Sequence, residues 1–220
     1  MYFNDHHEFE GKHAFLGASQ YYWMEWNDKI LKQRWINSFS TDIGTYIHEL
    51  ASILIKRKLK LNVDDTNIIE LTLLKNGIPA NVYSARRILN NLINFVNDAI
   101  DDGMQSEVIL FYSDLAFGTT DAIKFDDIHK KLIIRDLKTG KTPAKFNQLL
   151  IYAALFCLEY DKNPYDFTTE LAIYQAEEII CYEPSAEEII KYMDKIRDTE
   201  LMLRDIREGV DNIDIESMFK

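Results

Sequence analysis

Cysteine is scarce in this chain, which has two, Cys157 and Cys181, among 220 residues. Two cysteines cannot build the disulfide framework of a small secreted protein, and they cannot supply a four-cysteine zinc site or an iron–sulfur cluster. A chain of this length buries roughly 70% of the surface that it exposes when unfolded, so it needs no such cross-links to fold. The composition therefore predicts a globular protein of a reducing compartment.

Long apolar segments are missing as well. The longest apolar run, residues 149–158, is about half the length of a membrane span and ends before Glu159. The N-terminal residues, MYFNDHHEFEGK, are polar and acidic, unlike a signal or transit peptide. We therefore expect a cytoplasmic protein without membrane contact.

Basic residues are outnumbered by acidic ones, with 25 Lys and Arg against 36 Asp and Glu and a net charge of −11. Such an excess normally argues against nucleic-acid binding, because contacts with phosphates supply most of that affinity. The excess lies in residues 156–220, which hold 7 basic and 17 acidic side chains; by difference, residues 1–155 hold 18 and 19. The larger, nearly neutral part can carry a local basic surface, so the total charge does not exclude a nucleic-acid substrate.

Hydrophobic periodicity divides the chain into a helical first part, a central group of strands and a final helix. The predicted helices cover residues 42–57, 84–101, 144–160 and 185–207, with a short helix after Ser19. The predicted strands cover residues 107–111, 116–125, 131–136, 167–174 and, as a candidate hairpin partner, 178–182. Residues 61–83 are expected to be irregular, with a turn marked by Gly77 and Pro79. Asp42 and Ser84 are expected to cap the two helices that begin there. This order predicts an α/β or α+β domain.

Two aspartates are expected on neighbouring strands, Asp121 near the start of one strand and Asp136 at the end of the next. Neighbouring strands lie about 4.8 Å apart, so the two carboxylates can share a divalent ion, and carboxylates suit Mg²⁺ or Mn²⁺. Lys138 follows two residues after Asp136, so both side chains lie on the same face of the strand. An ammonium group there can orient a metal-bound water and offset the charge of a phosphate.

Two predicted helices supply further candidates. His48 lies on the helix of residues 42–57, where its imidazole can complete a metal site. Gln148 and Tyr152 are four residues apart and so share one face of the predicted helix 144–160, and Lys145 lies one turn before Gln148. Each feature alone is also compatible with a solvated strand end or with ordinary helix packing.

The aspartates and the lysine resemble the signature of the PD-(D/E)XK nucleases, in which an aspartate is followed on the next strand by Asp or Glu, any residue, and Lys. Here the signature is Asp121 followed by Asp136, Leu137 and Lys138. Asp-x-Lys occurs by chance in many chains, so this match gains weight from the motifs around it.

Those motifs resemble the RecB-like exonuclease branch of the same family. Gln148 and Tyr152 match its Gln-x-x-x-Tyr motif, and His48 resembles the metal-binding histidine of its upstream helix. Glu107 resembles the acidic residue on the strand before the metal-binding aspartate. The resemblance covers roughly residues 40–175, in the order that the family shows.

The resemblance implies a restriction-endonuclease-like α/β fold, with a central mixed β-sheet flanked by helices. It implies one domain over residues 1–220, with a helical part to about 102, a nuclease core over about 103–183 and a C-terminal helix over about 185–208. The implied activity is metal-dependent hydrolysis of DNA with one or two Mg²⁺ or Mn²⁺ ions, with exonuclease action favoured over endonuclease action. The implied setting is DNA replication, recombination or repair in the cytoplasm of a bacterium or a phage-infected cell. An iron–sulfur cluster, which some members of the branch carry, is not expected because the four cysteines are missing.

The resemblance also implies a role for each site residue. The implied metal ligands are His48, Asp121, Asp136 and the backbone carbonyl of Leu137. The implied catalytic residues are Lys138, Asp121, Asp136 and Glu107. The implied DNA contacts are Gln148, Tyr152, Lys141 and Lys145. As an alternative, Gln148 and Tyr152 are implied to hold the catalytic lysine and the metal ligands in place.

Two alternatives stay open beside an independent nuclease. The chain can be a nuclease subunit that depends on a partner, or a nuclease fold that binds DNA or protein without catalysis. The acidic C-terminal region offers a docking surface for a recombination or replication protein. None of the residues needed for the chemistry is lost, which ranks the catalytic interpretation first. Strand polarity, strand preference and oligomeric state are left open.

Overall fold

A five-stranded mixed β-sheet with helices on both faces forms the centre of the protein in the computed structural model. The structure describes residues 15–16, 18–75, 85–140 and 142–211. The α-helices are α1 (Asp28–Arg57), α2 (Thr66–Lys75), α3 (Ala85–Asp101), α4 (Asn147–Glu159) and α5 (Ala186–Asp211). The strands are β1 (Gln105–Ser113), β2 (Ala116–Asp126), β3 (Lys131–Leu137), β4 (Thr168–Gln175) and β5 (Glu178–Tyr182). The prediction of an α/β protein with a central mixed sheet is confirmed.

The strands follow one another across the sheet in chain order, β1-β2-β3-β4-β5. All neighbours are antiparallel except β3 and β4, which are parallel. Parallel strands need a crossover connection, and α4 supplies it between β3 and β4. Helix α4 is therefore the next element along the chain after the C-terminal end of β3.

The central strands of the sheet are buried on both faces by two hydrophobic clusters. Helices α1, α2 and α3 cover one face, and α4 and α5 cover the other. Successive residues of β3 therefore alternate between clusters: Ile133 belongs to the first and Ile134 to the second. A strand buried on both faces reads as a continuous apolar run, which explains why its sequence predicts a strand so clearly.

Helix α1 begins 14 residues before the predicted start, so the prediction of an N-cap at Asp42 was wrong. The cap is Asn27, whose side chain accepts a hydrogen bond from the backbone N–H of Ile30. Ser38 lies inside the helix, and its hydroxyl donates to the carbonyl of Trp35 at 2.7 Å. Serine tolerates a helix interior when its hydroxyl bonds to a preceding carbonyl, so Ser38 does not end the helix.

The segment 61–83 was predicted to be irregular, and its first part is instead a short 3₁₀ helix followed by α2. The side chains of Asn62 and Asp65 accept the hydrogen bonds that start this segment. The backbone N–H of Asn62 donates to Asp65 Oδ2, and the backbone N–H of Asp64 donates to Asn62 Oδ1. Ile69 and Leu73, one helical turn apart, are buried in the first cluster. Ten residues are too few to show a convincing helical period. The predicted turn at residues 77–79 and the cap at Ser84 lie outside the described residues.

The remaining predicted elements agree with the structure to within a few residues. The short helix after Ser19 is a 3₁₀ helix, Ala18–Glu25, and all five predicted strands are present. Helix α4 begins three residues later than predicted and α5 ends four residues later. No helix within the described ranges is long and apolar enough to span a bilayer.

Candidate active site

The pairing of β2 with β3 brings the two predicted metal-binding aspartates together. The strands are antiparallel, with Ala122 opposite Arg135, and the next step of the same register sets Asp121 opposite Asp136. The backbone N–H of Leu137 donates a hydrogen bond of 2.8 Å to Asp121 Oδ2. The Asp121 carboxylate is therefore held against β3, and the prediction that both aspartates lie on neighbouring strands is confirmed.

Helix α1 brings His48 to the same place. His48 Nδ1 lies 3.1 Å from Asp121 Oδ1. One turn earlier, a Cβ added to Gly44 would lie 3.3 Å from Thr139 Oγ1, so α1 approaches the segment after β3 closely. Burial lowers the pKa of His48, but the hydrogen bond to Asp121 and the charges of Asp121 and Asp136 outweigh it and raise the pKa above its ordinary value. The structure places His48 beside the predicted ligands, and its own coordination of a metal stays a prediction.

Asp136 is buried, with 2% of its surface exposed, and its carboxylate contacts Lys138. Lys138 Nζ lies 3.0 Å from Asp136 Oδ1 and 2.9 Å from Oδ2. Burial, together with the charge of Asp121, raises the pKa of Asp136 to about 6, and the charge of Lys138 opposes this change. The predicted pairing of Asp136 with Lys138 on one strand face is confirmed, and the carboxyl group is held in an environment that favours a nearby cation.

The donor set of the site fits a hard divalent cation. Among the residues that the structure describes, no group of three or more His, Cys, Asp and Glu side chains is placed to hold a metal ion. Mg²⁺ is usually bound by only one or two carboxylates, and water and substrate phosphates complete its coordination. Asp136 Oδ2 is buried and lies 2.9 Å from Lys138 Nζ without a well-aligned hydrogen bond. Each carboxylate oxygen has two lone pairs, so Asp136 can bind a further cation beside the ammonium group.

A hydrogen-bonded series leads from the lysine to helix α4. Lys138 Nζ donates to Gln148 Oε1 at 2.8 Å, and Gln148 Nε2 donates to the Tyr152 hydroxyl at 2.9 Å. Burial raises the pKa of Tyr152, so its hydroxyl stays protonated at neutral pH. A Cβ added to Gly118 would lie 2.9 Å from Tyr152 Cε1, so only glycine lets the tyrosine ring pack against β2. The predicted grouping of Gln148 and Tyr152 with the lysine is confirmed.

Glu107 lies next to this group, on β1. The flanking pairs, Ser106 with Ala122 and Val108 with Thr120, set Glu107 opposite Asp121. Its φ of 54° falls in the left-handed region, which interrupts the regular strand at this point. Partial burial of its carboxyl group, together with the charge of Asp121, raises the pKa of Glu107.

An open groove of about 680 Å³ lies between α1 and the β1–β2 hairpin. Its lining includes His48 and Glu49 from the helix and Glu107 and Asp121 from the strands. The predicted ligand and the predicted assisting carboxylate therefore share one solvent-accessible space. The groove gives a substrate access to Asp121.

The remaining predicted residues are less closely tied to the site. Lys145 is exposed in the segment that precedes α4. Lys141 lies outside the described residues. Leu137 has its side chain in the core, and the metal-binding role of its carbonyl stays a prediction.

Gln175, at the end of β4, is a site-supporting residue that sequence reasoning missed. It is 5% exposed and holds the segment between β3 and α4 by three hydrogen bonds. Its Oε1 accepts from the N–H of Ala144 at 2.9 Å, and its Nε2 donates to the carbonyls of Gly140 and Thr142 at 2.7 and 2.8 Å. The signal in the sequence is a polar residue that ends the apolar run of β4, since a buried amide there requires nearby polar partners.

No protein-family model, curated protein or solved structure matches this chain.

Proposed function

We propose that this protein is a metal-dependent DNA nuclease with a restriction-endonuclease-like fold, and that it acts as a RecB-like exonuclease in phage or bacterial DNA replication, recombination or repair. The mixed sheet, with its antiparallel β2–β3 pair and the crossover helix after β3, is compatible with that fold.

One observation carries the proposal. Four side chains of the Asp-x-Lys and Gln-x-x-x-Tyr motifs, from Asp136 through Lys138 and Gln148 to Tyr152, form one continuous series of contacts of 3.0 Å or less. The two motifs are ten residues apart in sequence and lie on different elements, so nothing local requires them to meet. Asp121 lies beside the start of the series. This arrangement supports a shared chemical task better than it supports ordinary surface packing.

In this proposal, Asp121 and Asp136 hold Mg²⁺ or Mn²⁺, with His48 and the carbonyl of Leu137 as further ligands. An ion in that position supplies an activated water and offsets negative charge on the phosphate. Glu107, the cross-strand neighbour of Asp121 on the same wall of the groove, would assist the ion or the water.

The chain's own residues prepare the phosphate and the nucleophile. The ammonium group of Lys138 has three donors; Asp136 and Gln148 accept two, and the third can hold the attacking water or a phosphate oxygen. Gln148 keeps that ammonium aimed at the site because its own amide is fixed by Tyr152. Lys145 and Lys141 are proposed to contact phosphates further along the strand.

A nuclease assay tests the proposal directly. End-labelled linear single-stranded and double-stranded DNA, with a closed circular control, is incubated with Mg²⁺, Mn²⁺ or EDTA. We expect metal-dependent loss of the linear DNA by the wild-type protein and at least a hundredfold lower rate for Lys138→Ala, since one positioned charge of this kind contributes about 10²–10³ in rate. Lys131→Ala, at the opposite end of β3 and paired with Glu170, is the matched control and should keep the wild-type rate.

The other outcomes separate the alternatives. Cleavage of the circular DNA would show that the same site acts as an endonuclease. Activity that appears only after a recombination or replication protein is added would favour a partner-dependent subunit that docks through the acidic C-terminal region. No cleavage with any metal, and unchanged DNA binding by Lys138→Ala, would contradict the nuclease proposal and favour a non-catalytic module.

A further inference from the structure

The β1–β2 hairpin presents a row of uncharged side chains to solvent. The row consists of two cross-strand pairs, Ile109 with Thr119 and Phe111 with Phe117. Ile109, Phe111 and Phe117 are 59%, 51% and 62% exposed. The two phenyl rings lie 6.3 Å apart and within 29° of parallel. A contiguous exposed apolar surface of this kind is typical of an interaction site.

The row leads directly to the candidate metal site. Residues two apart on a strand share a face, and the pair that follows Ile109 with Thr119 in this register is Glu107 with Asp121. At about 3.3 Å per residue, Phe117 lies roughly 13 Å along β2 from Asp121. The aromatic pair and the groove are therefore two parts of one continuous surface.

The opposite side of the hairpin is buried, which holds the row in place. Leu110 is 1% exposed and belongs to the cluster beneath α4 and α5, and Val108 and Tyr112 pack against that cluster. The N–H of Phe111 also donates to Glu159 of α4 at 2.8 Å. Packing on its buried side therefore holds the hairpin in place before any ligand contacts its exposed side chains.

Cationic groups lie at the tip of the hairpin. Asp114, in the β1–β2 turn, accepts hydrogen bonds from Arg204 and Arg207 of α5 at 3.4 and 3.2 Å. The two arginine side chains are 51% and 66% exposed. Arg204 also donates to Glu200 through Nε and Nη2. Because a guanidinium group has five N–H donors, both arginines retain donors for a phosphate oxygen.

We infer that this row is a stacking platform for the unpaired end of a DNA strand, which runs from the hairpin tip past Phe117 and Phe111 to Asp121. Aromatic side chains beside cationic groups bind single strands irrespective of sequence, because every base has a face that can stack. In a duplex the base faces are already stacked and only the edges are accessible, so this surface favours an unpaired end. The inference rests on the proposed function and adds to it a substrate class, single-stranded DNA.

A binding experiment tests the platform without relying on cleavage. The full chain carries Lys138→Ala so that the DNA stays intact, and the binding of fluorescent oligothymidylate and of a blunt duplex is measured by anisotropy. Phe111→Ala with Phe117→Ala should weaken single-strand binding by about tenfold or more, since stacking contributes about 1–3 kcal/mol per base. Duplex binding should change less than threefold. Phe111→Tyr with Phe117→Tyr keeps both rings and should bind as the parent does.

The control is Ile128→Ala, which removes an 88% exposed apolar side chain at the far end of β2. It should leave both affinities unchanged. A second measurement locates the platform: 2-aminopurine at successive positions from the end of the oligonucleotide should be quenched at one or two positions, and the double alanine variant should lose that quenching. Equal thermal unfolding midpoints will show that the variants fold.

Two results would overturn the inference. Unchanged single-strand affinity and quenching in the double alanine variant would show that bases do not stack there. A wild-type dimer that the same variant converts to a monomer, with unchanged DNA affinity, would show that the row is an interface between copies of the chain. Either result would leave the nuclease proposal intact if wild-type protein cleaves DNA, whereas absence of both cleavage and binding would contradict the proposed function itself.

Discussion

At the scale of single residues, the candidate site depends on side chains that are held by other side chains. Lys138 is the clearest case, because its flexible four-carbon stem loses up to about 2 kcal/mol of conformational entropy when it is fixed. Contacts to Asp136 on one side and Gln148 on the other offset that cost before any substrate binds. A lysine fixed in advance is more useful for positioning a phosphate or a water than one that must be ordered during the reaction.

Gln175 is expected to matter for both stability and activity. Gln175→Leu leaves the N–H of Ala144 and two carbonyl groups without their partner, which should lower the free energy of unfolding by about 1–3 kcal/mol. The loop that follows Lys138 should then move, so kcat for DNA hydrolysis should fall more than the affinity for DNA. Urea unfolding and steady-state kinetics measure the two effects.

Gln175→Glu provides the comparison for that variant. It keeps the acceptor for Ala144 but replaces the donor that faces the carbonyls of Gly140 and Thr142. We expect it to be as harmful as the leucine variant. A fully active and stable Gln175→Glu protein would show that the two carbonyl contacts do not hold the loop.

At the scale of secondary-structure elements, the close approach of α4 to β2 is a second requirement of the site. Gly118→Ala should push the Tyr152 ring away from β2, because the added methyl group would lie 2.9 Å from Tyr152 Cε1. Overpacking of this kind typically costs about 1–3 kcal/mol, and here it should also break the contact between Tyr152 and Gln148. The variant should unfold at a lower urea concentration than the wild type and should cleave DNA more slowly.

Gly140→Ala is the matched control, since a Cβ at Gly140 meets nothing within 4 Å. It should keep wild-type stability and activity. Equal losses in both glycine variants would argue for a general need for backbone freedom around the site and against a specific contact with Tyr152.

The turn between β2 and β3, which sets the register of the two aspartates, has its own pH dependence. Asp126 accepts hydrogen bonds from the His129 side chain and from the backbone N–H groups of His129 and Ile128, and these lower its pKa to about 2. A carboxyl group whose pKa is depressed on folding stabilises the folded state above its unfolded pKa, near 4, and that stabilisation is lost as the pH falls towards 2.

We therefore expect Asp126→Asn to be less stable than the wild type at pH 5 and above, and expect the difference to shrink between pH 4 and pH 2. Urea unfolding at a series of pH values measures it. Asp127→Asn, an exposed neighbour in the same turn, controls for the general loss of a surface carboxylate. A difference between wild type and Asp126→Asn that is independent of pH would contradict the role given to this turn.

At the scale of the whole molecule, the buried aspartate links metal binding to the stability of the fold. A ligand that binds only the folded state stabilises it, by about 2.7 kcal/mol at a concentration of one hundred times its Kd. For a protein of this size each kcal/mol raises the unfolding midpoint by roughly 2–4 °C. Mg²⁺ or Mn²⁺ should therefore raise the midpoint of the wild type.

The same ions should have little effect on Asp136→Asn, which keeps the shape of the side chain but removes the charge. Differential scanning fluorimetry with and without EDTA measures the shift, and Asp194→Asn on the exposed surface of α5 is the control. An equal rise in the midpoint of wild type and Asp136→Asn would show that the stabilising ion binds elsewhere.

The secondary structure of the second half of the chain was predicted more accurately from the sequence than that of the first half. Strands β3 and β4 and helix α4 were predicted closely because burial on both sides leaves uninterrupted apolar runs between turn residues. The start of α1 was predicted 14 residues too late, because its first turns are exposed and carry no apolar stripe that a period could reveal. Helix α2 was missed because its stabilisation comes from packing of Ile69 and Leu73 against distant parts of the chain.

The class of fold and the identity of most candidate residues could be predicted from the chain alone, since hydrophobic periodicity and motif order are local properties. Which of those residues meet depended on how the elements pack in three dimensions. The contact of His48 with Asp121 joins residues 73 positions apart, and Gln175 reaches back to the loop at Gly140. Such contacts depend on strand register and helix packing, which many residues set together, and no local pattern encodes them.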